Sequence, residues 1–294
     1  MLLVTIFYEV DEFCKLFELE YKKMLVESGM QKRNRTSKLS MSEVMTIGIY
    51  FHHSGYKNFK QYYKNYVCRY LTSEFPHLVS YNRFIELKQK HLLPLAVFAQ
   101  LETGICKGKS FVDSTALKVS HERRISSHKT FATLAQRGKT SVGWFYGFKL
   151  HFTVNTEGEI LSFVLSPGNI ADNNENILML LTKNLFGKIF GDKGYIVNAE
   201  LFQKLYSKGI QFITKLRSNM KNKLLSIEDK AFLKNRGLIE TVVGILKEDL
   251  SLEHSRHRSF YGFFSHVFAT IAAYSFRTKK PSLKRRFYPK LKIA

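Results

Sequence analysis

The spacing of apolar residues changes near residue 106, and this change constrains the fold more than any other feature of the sequence. Before it, apolar side chains recur at helical spacing, as at Val44, Ile47 and Phe51. After it, they form short continuous or alternating runs bounded by turn residues, which is typical of strands. We therefore predict an all-helical region over residues 1–105 and an α/β domain over residues 106–278.

The helical region contains three helices that the sequence marks clearly. Ser40 followed by Glu43 is a capping box, so a helix is predicted to begin near Ser40. Two further helices are predicted over Lys57–Tyr66 and Tyr81–Lys90. Short helices with polar starts are typical of a helix-turn-helix that binds DNA, but the aromatic residues of Lys57–Tyr66 are equally consistent with a packed core. Both interpretations remain open at this stage.

The second region predicts a mixed sheet with helices on its faces, because strands first follow one another directly and then alternate with helices. Asp172 and Glu175 form a second capping-box pattern, so Asp172 is interpreted as a helix cap. The predicted elements are a strand at Ser110–Val112, a hairpin of Gly147–Val154 and Ile160–Leu165, a helix at Ile177–Leu181, a strand at Lys188–Gly191, a helix at Asn198–Ser207, a strand at Gln211–Lys215 and a long helix over Lys234–Asp249.

The charge of the chain indicates a polyanionic partner. There are 46 Lys and Arg against 24 Asp and Glu, which gives a formal charge of +22. A field of this sign favours nucleic acid over other partners, and an aromatic content of 14% indicates a packed protein rather than a disordered basic chain. Basic residues crowd residues 279–294, which we predict to be a separate basic tail that contacts phosphates without sequence preference.

The cysteines and the apolar runs predict a cytoplasmic protein. Cys14, Cys68 and Cys106 show neither zinc-ligand spacing nor a disulfide framework, so we interpret them as buried free thiols in a reducing compartment. No apolar run is long enough to span a bilayer, and the N-terminus lacks the basic leader of a secretory signal. We predict no membrane partner.

Two aspartates follow predicted strands. Asp113 comes after Ser110–Val112 and Asp192 comes after Lys188–Gly191. The carboxyl ends of strands are where open sheets place their ligands, and carboxylate oxygens suit hard cations such as Mg²⁺. An aspartate after a strand is also common in ordinary turns, so each of the two taken alone favours a structural role.

Glu240 lies on the last predicted helix of this region. Ile239, Val242, Val243 and Leu246 form its buried stripe, and Arg236, Glu240 and Lys247 share the adjoining face. A carboxylate between two cations fits a metal ligand flanked by phosphate contacts. The competing interpretation is a surface ion pair between Arg236 and Glu240, worth about 0.3–0.5 kcal/mol. The spacing alone slightly favours that ion pair.

Several motifs, taken together, resemble those of a known family. They are Phe-Val-Asp-Ser-Thr at 111–115, Gly-Trp-Phe-Tyr-Gly-Phe-Lys-Leu-His at 143–151, Pro-Gly-Asn-Ile-Ala-Asp at 167–172, Gly-Asp-Lys-Gly-Tyr at 191–195, the spaced trio Arg236, Glu240 and Lys247, and His-Ser-Arg-His-Arg-Ser at 254–259. The chain resembles bacterial insertion-sequence transposases of the DDE class over nearly its whole length. It is most similar to the insertion-sequence family numbered nine-eighty-two.

The resemblance implies an RNase H-like catalytic domain. In it, Asp113, Asp192 and Glu240 are the catalytic residues and the ligands of two Mg²⁺ or Mn²⁺ ions, and Arg236 and Lys247 position DNA. The implied activity is an endonuclease step at the inverted-repeat ends of the element, followed by DNA recombination in which the freed 3′ hydroxyl joins target DNA. The expected partners are these DNA ends and target DNA, with a homodimer in the synaptic complex and the nucleoid as the place of action.

Further DNA contacts are predicted at Lys149, Arg256 and Arg258, although a solvated strand face explains Lys149 equally well. One position departs from the related signature, which has tyrosine three residues before Arg236 where this chain has Leu233. Two alternative functions therefore stay open. One is an RNase H-like nuclease that cuts without joining, and the other is a catalytically inactive DNA-binding remnant.

Overall fold

The computed structural model of the chain describes residues 2–29, 37–140, 143–215, 224–253 and 257–283. The chain divides into two compact units. A helical unit consists of Met1–Glu102, Leu246–Leu252 and His257–Arg277, and a sheet unit consists of Thr103–Ile245, Glu253–Arg256 and Thr278–Ala294. The predicted boundary at residue 105 lies close to the first change of unit, whereas residues 257–277, which were predicted to belong to the α/β domain, lie in the helical unit.

In the N-terminal part of the helical unit, residues 2–29 and 37–102 form six α-helices. They are α1 Leu2–Glu27, α2 Met41–Tyr50, α3 Phe59–Tyr62, α4 Cys68–Tyr70, α5 Tyr81–Lys90 and α6 Leu92–Leu101, with a π-helical turn at Tyr63–Val67 between α3 and α4. The capping box is confirmed, since Ser40 Oγ accepts from Glu43 N at 3.1 Å and Ser40 N donates to Glu43 Oε2 at 2.6 Å. The predicted bounds of α5 are also confirmed.

The aromatic residues near α3 form part of the core of the helical unit. Tyr62 and Tyr63 are fully buried and pack with Phe84 and Phe51. The core interpretation of these two tyrosines is therefore confirmed. Of the three cysteines, Cys14 is buried as predicted, while Cys68 is exposed and Cys106 is half-buried.

The described residues of the sheet unit form six strands and four α-helices. They are β1 Lys109–Ser120, β2 Gln136–Thr140, β3 Gly143–Asn155, β4 Ile160–Pro167, α7 Glu175–Leu181, β5 Gly187–Gly191, α8 Ala199–Ser207, β6 Ile210–Thr214, α9 Ile227–Lys234 and α10 Gly237–Gly244. The strand order is β2-β3-β1-β5-β6, and β4 pairs with β3. Pairs β1–β3, β2–β3 and β3–β4 are antiparallel, whereas β1–β5 and β5–β6 are parallel. The mixed sheet with flanking helices is thus confirmed.

Apolar side chains from the parallel part of the sheet pack against α7 and α8. This core includes Ile189, Leu178, Leu181 and Leu205, all fully buried. Leu178 and Leu181 lie three residues apart on α7 and therefore on one face of that helix. The core holds β5 in place beside β1, and these are the strand that precedes Asp192 and the strand that contains Asp113.

Two helix predictions are wrong in detail. The cap of α7 is Asn174, whose Oδ1 accepts from Ile177 N at 3.2 Å, so Asp172 is not a helix cap. The single helix predicted over Lys234–Asp249 is instead α9, then α10, then a π-helical turn at Ile245–Asp249. Helical spacing therefore stops being regular at the end of α10.

The last helix, α11 at Phe260–Ser275, packs against α6, α2 and α5 inside the helical unit. The first residues of the predicted basic tail belong to the sheet unit, where Leu283 N donates to Thr156 O at 2.9 Å. The tail from residue 284 onward lies outside the described residues. No helix within the described ranges is long and apolar enough to cross a membrane.

Candidate active site

Asp113 lies within β1, which continues to Ser120, so the short strand predicted to end at Val112 is wrong in its length, while Asp192 directly follows the neighbouring parallel strand β5. The register pairs Phe111 of β1 with Phe190 of β5, and each aspartate follows its paired phenylalanine by two positions. Neighbouring strands are about 4.8 Å apart, so the two aspartates occupy adjacent positions at this end of the β1–β5 pair. Asp192 Oδ1 accepts from Gly194 N at 2.7 Å, which orients its carboxylate just beyond the end of β5.

The Asp113 carboxylate is half-buried and held from two sides. Oδ1 accepts from Ser114 N at 2.8 Å, and Arg236 Nη2 lies 3.2 Å from Oδ2. Burial raises the pKa of Asp113 to about 6, and the Asp192 and Asp172 carboxylates add to the rise, while Arg236 and the Ser114 hydrogen bond oppose it. The site therefore concentrates negative charge at a buried position, where a bound cation is favoured.

Asp172 is a third carboxylate of this site that the sequence interpretation missed. Its Oδ1 accepts from Ser114 Oγ at 2.9 Å and from Lys149 Nζ at 3.0 Å. A Cβ built on Gly194 would lie 3.0 Å from Asp192 Oδ1 and 3.5 Å from Asp172 Oδ2, so both carboxylates face the same small space beside that glycine. Its membership of the Pro-Gly-Asn-Ile-Ala-Asp motif was the available signal.

Lys149 and His151 point to the same side of the sheet as Ser114. In the β1–β3 register Ser114 pairs with His151, and Lys149 lies two residues away on the same face. Lys149 is only 7% exposed and also donates to Ile170 O at 2.9 Å. The alternative that placed Lys149 on a solvated strand face is therefore wrong.

His151 is buried and stays neutral beside this ion pair. Its Nε2 lies 2.8 Å from Ser166 Oγ, and its Nδ1 lies 3.9 Å from Asp172 Oδ1. Burial lowers the pKa of His151 to about 4, although the Asp172 carboxylate opposes the shift. Since His151 is uncharged near neutral pH, Lys149 is the cation that balances Asp172.

Tyr195 is buried beside the carboxylates of the site. Its hydroxyl is shielded from solvent and lies next to the Ser114 hydroxyl. Burial raises the pKa of Tyr195 well above its usual range, and the nearby Asp172 and Asp113 carboxylates raise it further.

Glu240 and Arg236 lie one turn apart at the start of α10, but only Arg236 reaches the aspartates. Arg236 is buried and pairs with Asp113, so the predicted surface ion pair between Arg236 and Glu240 is wrong. The Glu240 side chain is exposed and makes no hydrogen bond or ion pair with a described residue. The structure thus brings Asp113 and Asp192 together and does not bring the Glu240 carboxylate into contact with them.

The other predicted DNA contacts lie outside the sheet unit or outside the described residues. Lys247 lies in the π-helical turn after α10, and Arg258 is exposed just before α11, both within the helical unit. Arg256 is not among the described residues. Leu233, which replaces the tyrosine of the related signature, is buried at the end of α9.

The oxygen donors of these carboxylates are chemically suited to a hard divalent cation. Among the residues the structure describes, no three His, Cys, Asp or Glu side chains are already arranged to hold a metal ion. The donors at the site are nevertheless all oxygens, and three aspartates face only two basic side chains, Arg236 and Lys149. Oxygen donors with an excess of negative charge suit Mg²⁺ or Mn²⁺ rather than zinc.

We expect Lys149→Met to destabilise the sheet unit by about 2–4 kcal/mol, because it leaves Asp172 without its cation. Asp172→Asn in the same chain should recover part of this loss, since the two residues act as a pair. Urea unfolding of the single and double variants measures both effects. Lys107→Met is the control, because it breaks the exposed pair with Glu157 and should cost less than about 1 kcal/mol. Equal losses in the Lys149 and Lys107 variants would contradict a special role for the Lys149–Asp172 pair.

Comparison with known families adds an independent observation. The family described as transposase DDE domain matches residues 103–260, which is more than half of the chain. The match includes Asp113, Asp172, Asp192 and Glu240. A comparison with curated proteins gives no match.

Proposed function

The chain belongs to the DDE transposase family, and from this we propose that it cuts DNA at the inverted-repeat ends of its own insertion sequence and joins the freed 3′ hydroxyl to target DNA. The observation that carries the proposal is the closeness of the Asp113 and Asp192 carboxylates, each two residues beyond the paired Phe111 of β1 and Phe190 of β5. Phosphodiester chemistry needs carboxylates that converge on divalent cations, and this pair supplies the first two.

The reaction has two steps of the same kind. In the first, water attacks a phosphorus at the element end, the bond from that phosphorus to the 3′ oxygen breaks, and the 3′ oxygen leaves with a proton as a hydroxyl. In the second, this hydroxyl attacks a phosphorus of target DNA, and the target 3′ oxygen leaves. No covalent bond to the protein forms in either step.

Asp113, Asp192 and Glu240 would hold two Mg²⁺ or Mn²⁺ ions, which when bound activate the attacking oxygen and stabilise the leaving one. Asp113 contributes from a half-buried position and Asp192 from just past the end of β5. Glu240 would contribute from the first turns of α10. Arg236, the residue just before this helix, pairs with Asp113 and so connects the start of α10 to β1. The Glu240 side chain has no competing partner among the described residues to release.

Arg236, Lys149, Lys247, Arg256 and Arg258 are proposed to contact DNA phosphates. Arg236 lies 3.2 Å from Asp113, so a phosphate held next to Asp113 would face its guanidinium. Lys149 acts first on Asp172, to which it is paired in the structure. The exposed Arg258 is accessible for a phosphate contact in the helical unit.

The finer assignments belong to the same proposal. They are an RNase H-like arrangement of the catalytic sheet, membership of insertion-sequence family nine-eighty-two, a helix-turn-helix role for residues 1–105, a catalytic domain at 106–278 with a basic tail at 279–294, a homodimer that holds two DNA ends, and action at the nucleoid. Support comes from the mixed sheet with flanking helices, the helical unit and the net charge of +22.

The test incubates the purified full chain and Mg²⁺ with DNA that carries the two inverted repeats flanking its gene, together with a supercoiled target plasmid. We expect nicks at the repeat ends and plasmid joined to those ends, both lost when EDTA removes the metal. Cutting without joined product would favour the nuclease alternative. Binding of the ends with neither cutting nor joining would favour the inactive remnant, which the loss of the signature tyrosine at Leu233 makes a specific alternative.

A further inference from the structure

The hairpin formed by β2 and β3 carries the only tryptophan of the chain, and that tryptophan faces solvent. Trp144 is 59% exposed, whereas the residues that follow it on β3, from Phe145 to Asn155, are buried. Single exposed apolar residues are common on protein surfaces and by themselves indicate little. The surroundings of Trp144 make it distinctive.

Trp144 lies beside a cation on an edge of the sheet. It pairs in register with Lys139 of β2, and Lys139 Nζ lies 5.7 Å from the centroid of its ring. β2 is the edge strand of the six-stranded sheet, so this pair is open to an approaching molecule. Lysines on edge strands also protect against pairing with other chains, but a large exposed aromatic ring beside them does not serve that purpose.

The chain around this hairpin is strongly basic. Residues 117–148 contain six Lys and Arg residues and one acidic residue, Glu122. All six basic side chains are exposed, and none forms an ion pair with a side chain that the structure describes: Lys118, Arg123, Arg124, Lys129, Arg137 and Lys139. Exposed cations in the same segment as an exposed aromatic ring are the combination that single-stranded nucleic-acid sites use.

We propose that Trp144 and Lys139 form a stacking site for an unpaired DNA base. This proposal rests on the proposed function, because that function makes DNA the partner. The bases of an intact duplex are stacked on one another, so the Trp144 ring has access to a base only where the strand is unpaired or distorted. The exposed cations hold the neighbouring phosphates.

The position of Trp144 relates this site to the candidate active site in the same unit. Trp144 and Lys149 are both on β3, five residues apart, which corresponds to about 17 Å along an extended strand. That distance equals roughly five nucleotides of DNA. The stacked base therefore belongs to the strand near the cleaved bond, not at it.

The lone tryptophan provides the test, because its fluorescence reports this site alone. The probes are a short DNA duplex with one unpaired thymine and the same duplex fully paired, at one salt concentration. We expect the unpaired-base probe to quench the tryptophan fluorescence of the full chain and the paired probe to do so much less. Labelled probes then measure affinity by anisotropy for the variants.

Trp144→Ala should weaken binding of the unpaired-base probe roughly 5- to 100-fold and leave the paired probe almost unchanged, as expected for the loss of one stacked base. Trp144→Phe should retain most of the affinity. Tyr206→Ala, which removes another exposed aromatic ring of the sheet unit, should change neither probe. Equal binding of both probes by wild type, or an equal loss in Trp144→Ala, overturns the stacking site while leaving the transposase proposal standing. Failure of wild type to bind either duplex overturns the stacking site, while the cutting and joining of inverted-repeat DNA decides the transposase proposal separately.

Discussion

Replacing Asp113 by asparagine is expected to lower DNA cleavage at least about a thousand-fold while leaving binding of the element ends largely intact. The change removes one charged ligand from the proposed cation site, and ligands of this kind contribute several kcal/mol to the transition state. Asp192→Asn should have the same effect, because the Asp192 carboxylate lies just beyond the end of β5, beside Asp113. Single-turnover cleavage of labelled end DNA in Mg²⁺ measures the rate, and anisotropy measures binding.

The control for this experiment is Asp229→Asn. Asp229 is also a buried aspartate of the sheet unit paired with a basic side chain, Lys188 at 2.8 Å, but it is not among the residues of the candidate site. Its variant should lose stability without losing the cleavage rate of the folded protein. Wild-type cleavage by Asp113→Asn or Asp192→Asn removes that residue from the active site.

Glu240→Gln is expected to lower cleavage by a similar factor, with almost no change in stability. The side chain is exposed and without a partner among the described residues, so its replacement should alter the free energy of unfolding by less than about 0.5 kcal/mol. A large loss of rate without a loss of stability would show that the carboxylate acts only when DNA and metal are bound. Urea unfolding and single-turnover cleavage of the same preparation supply the two readouts.

Glu200→Gln is the matched control, since Glu200 is an exposed glutamate on a helix of the same unit, outside the candidate site. It should retain the wild-type rate. If Glu240→Gln also retains it, Glu240 is not the third catalytic carboxylate, and Asp172 becomes the next acidic residue to test at the site.

The sequence predicted those parts of the site that depend on local pattern. An aspartate directly after a short apolar run marks a strand end, and this is confirmed for Asp192, whereas β1 continues past Asp113 to Ser120. The capping box at Ser40 is equally local, and the helix start that it predicts is confirmed. Such features are readable because the residues that interact are within a few positions of one another.

The parts that were missed depend on contacts between distant residues. Asp172 accepts a hydrogen bond from Ser114, 58 residues away, and Arg236 pairs with Asp113, 123 residues away, in preference to a glutamate four residues away. In both cases the local sequence pattern predicts a nearer contact, which is a helix cap for Asp172 and a surface ion pair with Glu240 for Arg236. The Arg236–Asp113 pair depends on burial. The Arg236 guanidinium at the start of α10 is buried, and Asp113 is the carboxylate with which it pairs.

The division of the chain also limits how the protein can be shortened. The helical unit takes residues from both sides of the sheet unit, so a fragment that starts at residue 103 retains α11 but lacks α2, α5 and α6, against which it packs. Val267, Ala269 and Ala272, fully buried on α11, would then be left against water. Deleting the first hundred residues therefore exposes an apolar helix, and aggregation of that fragment says nothing about whether its catalytic sheet can act alone.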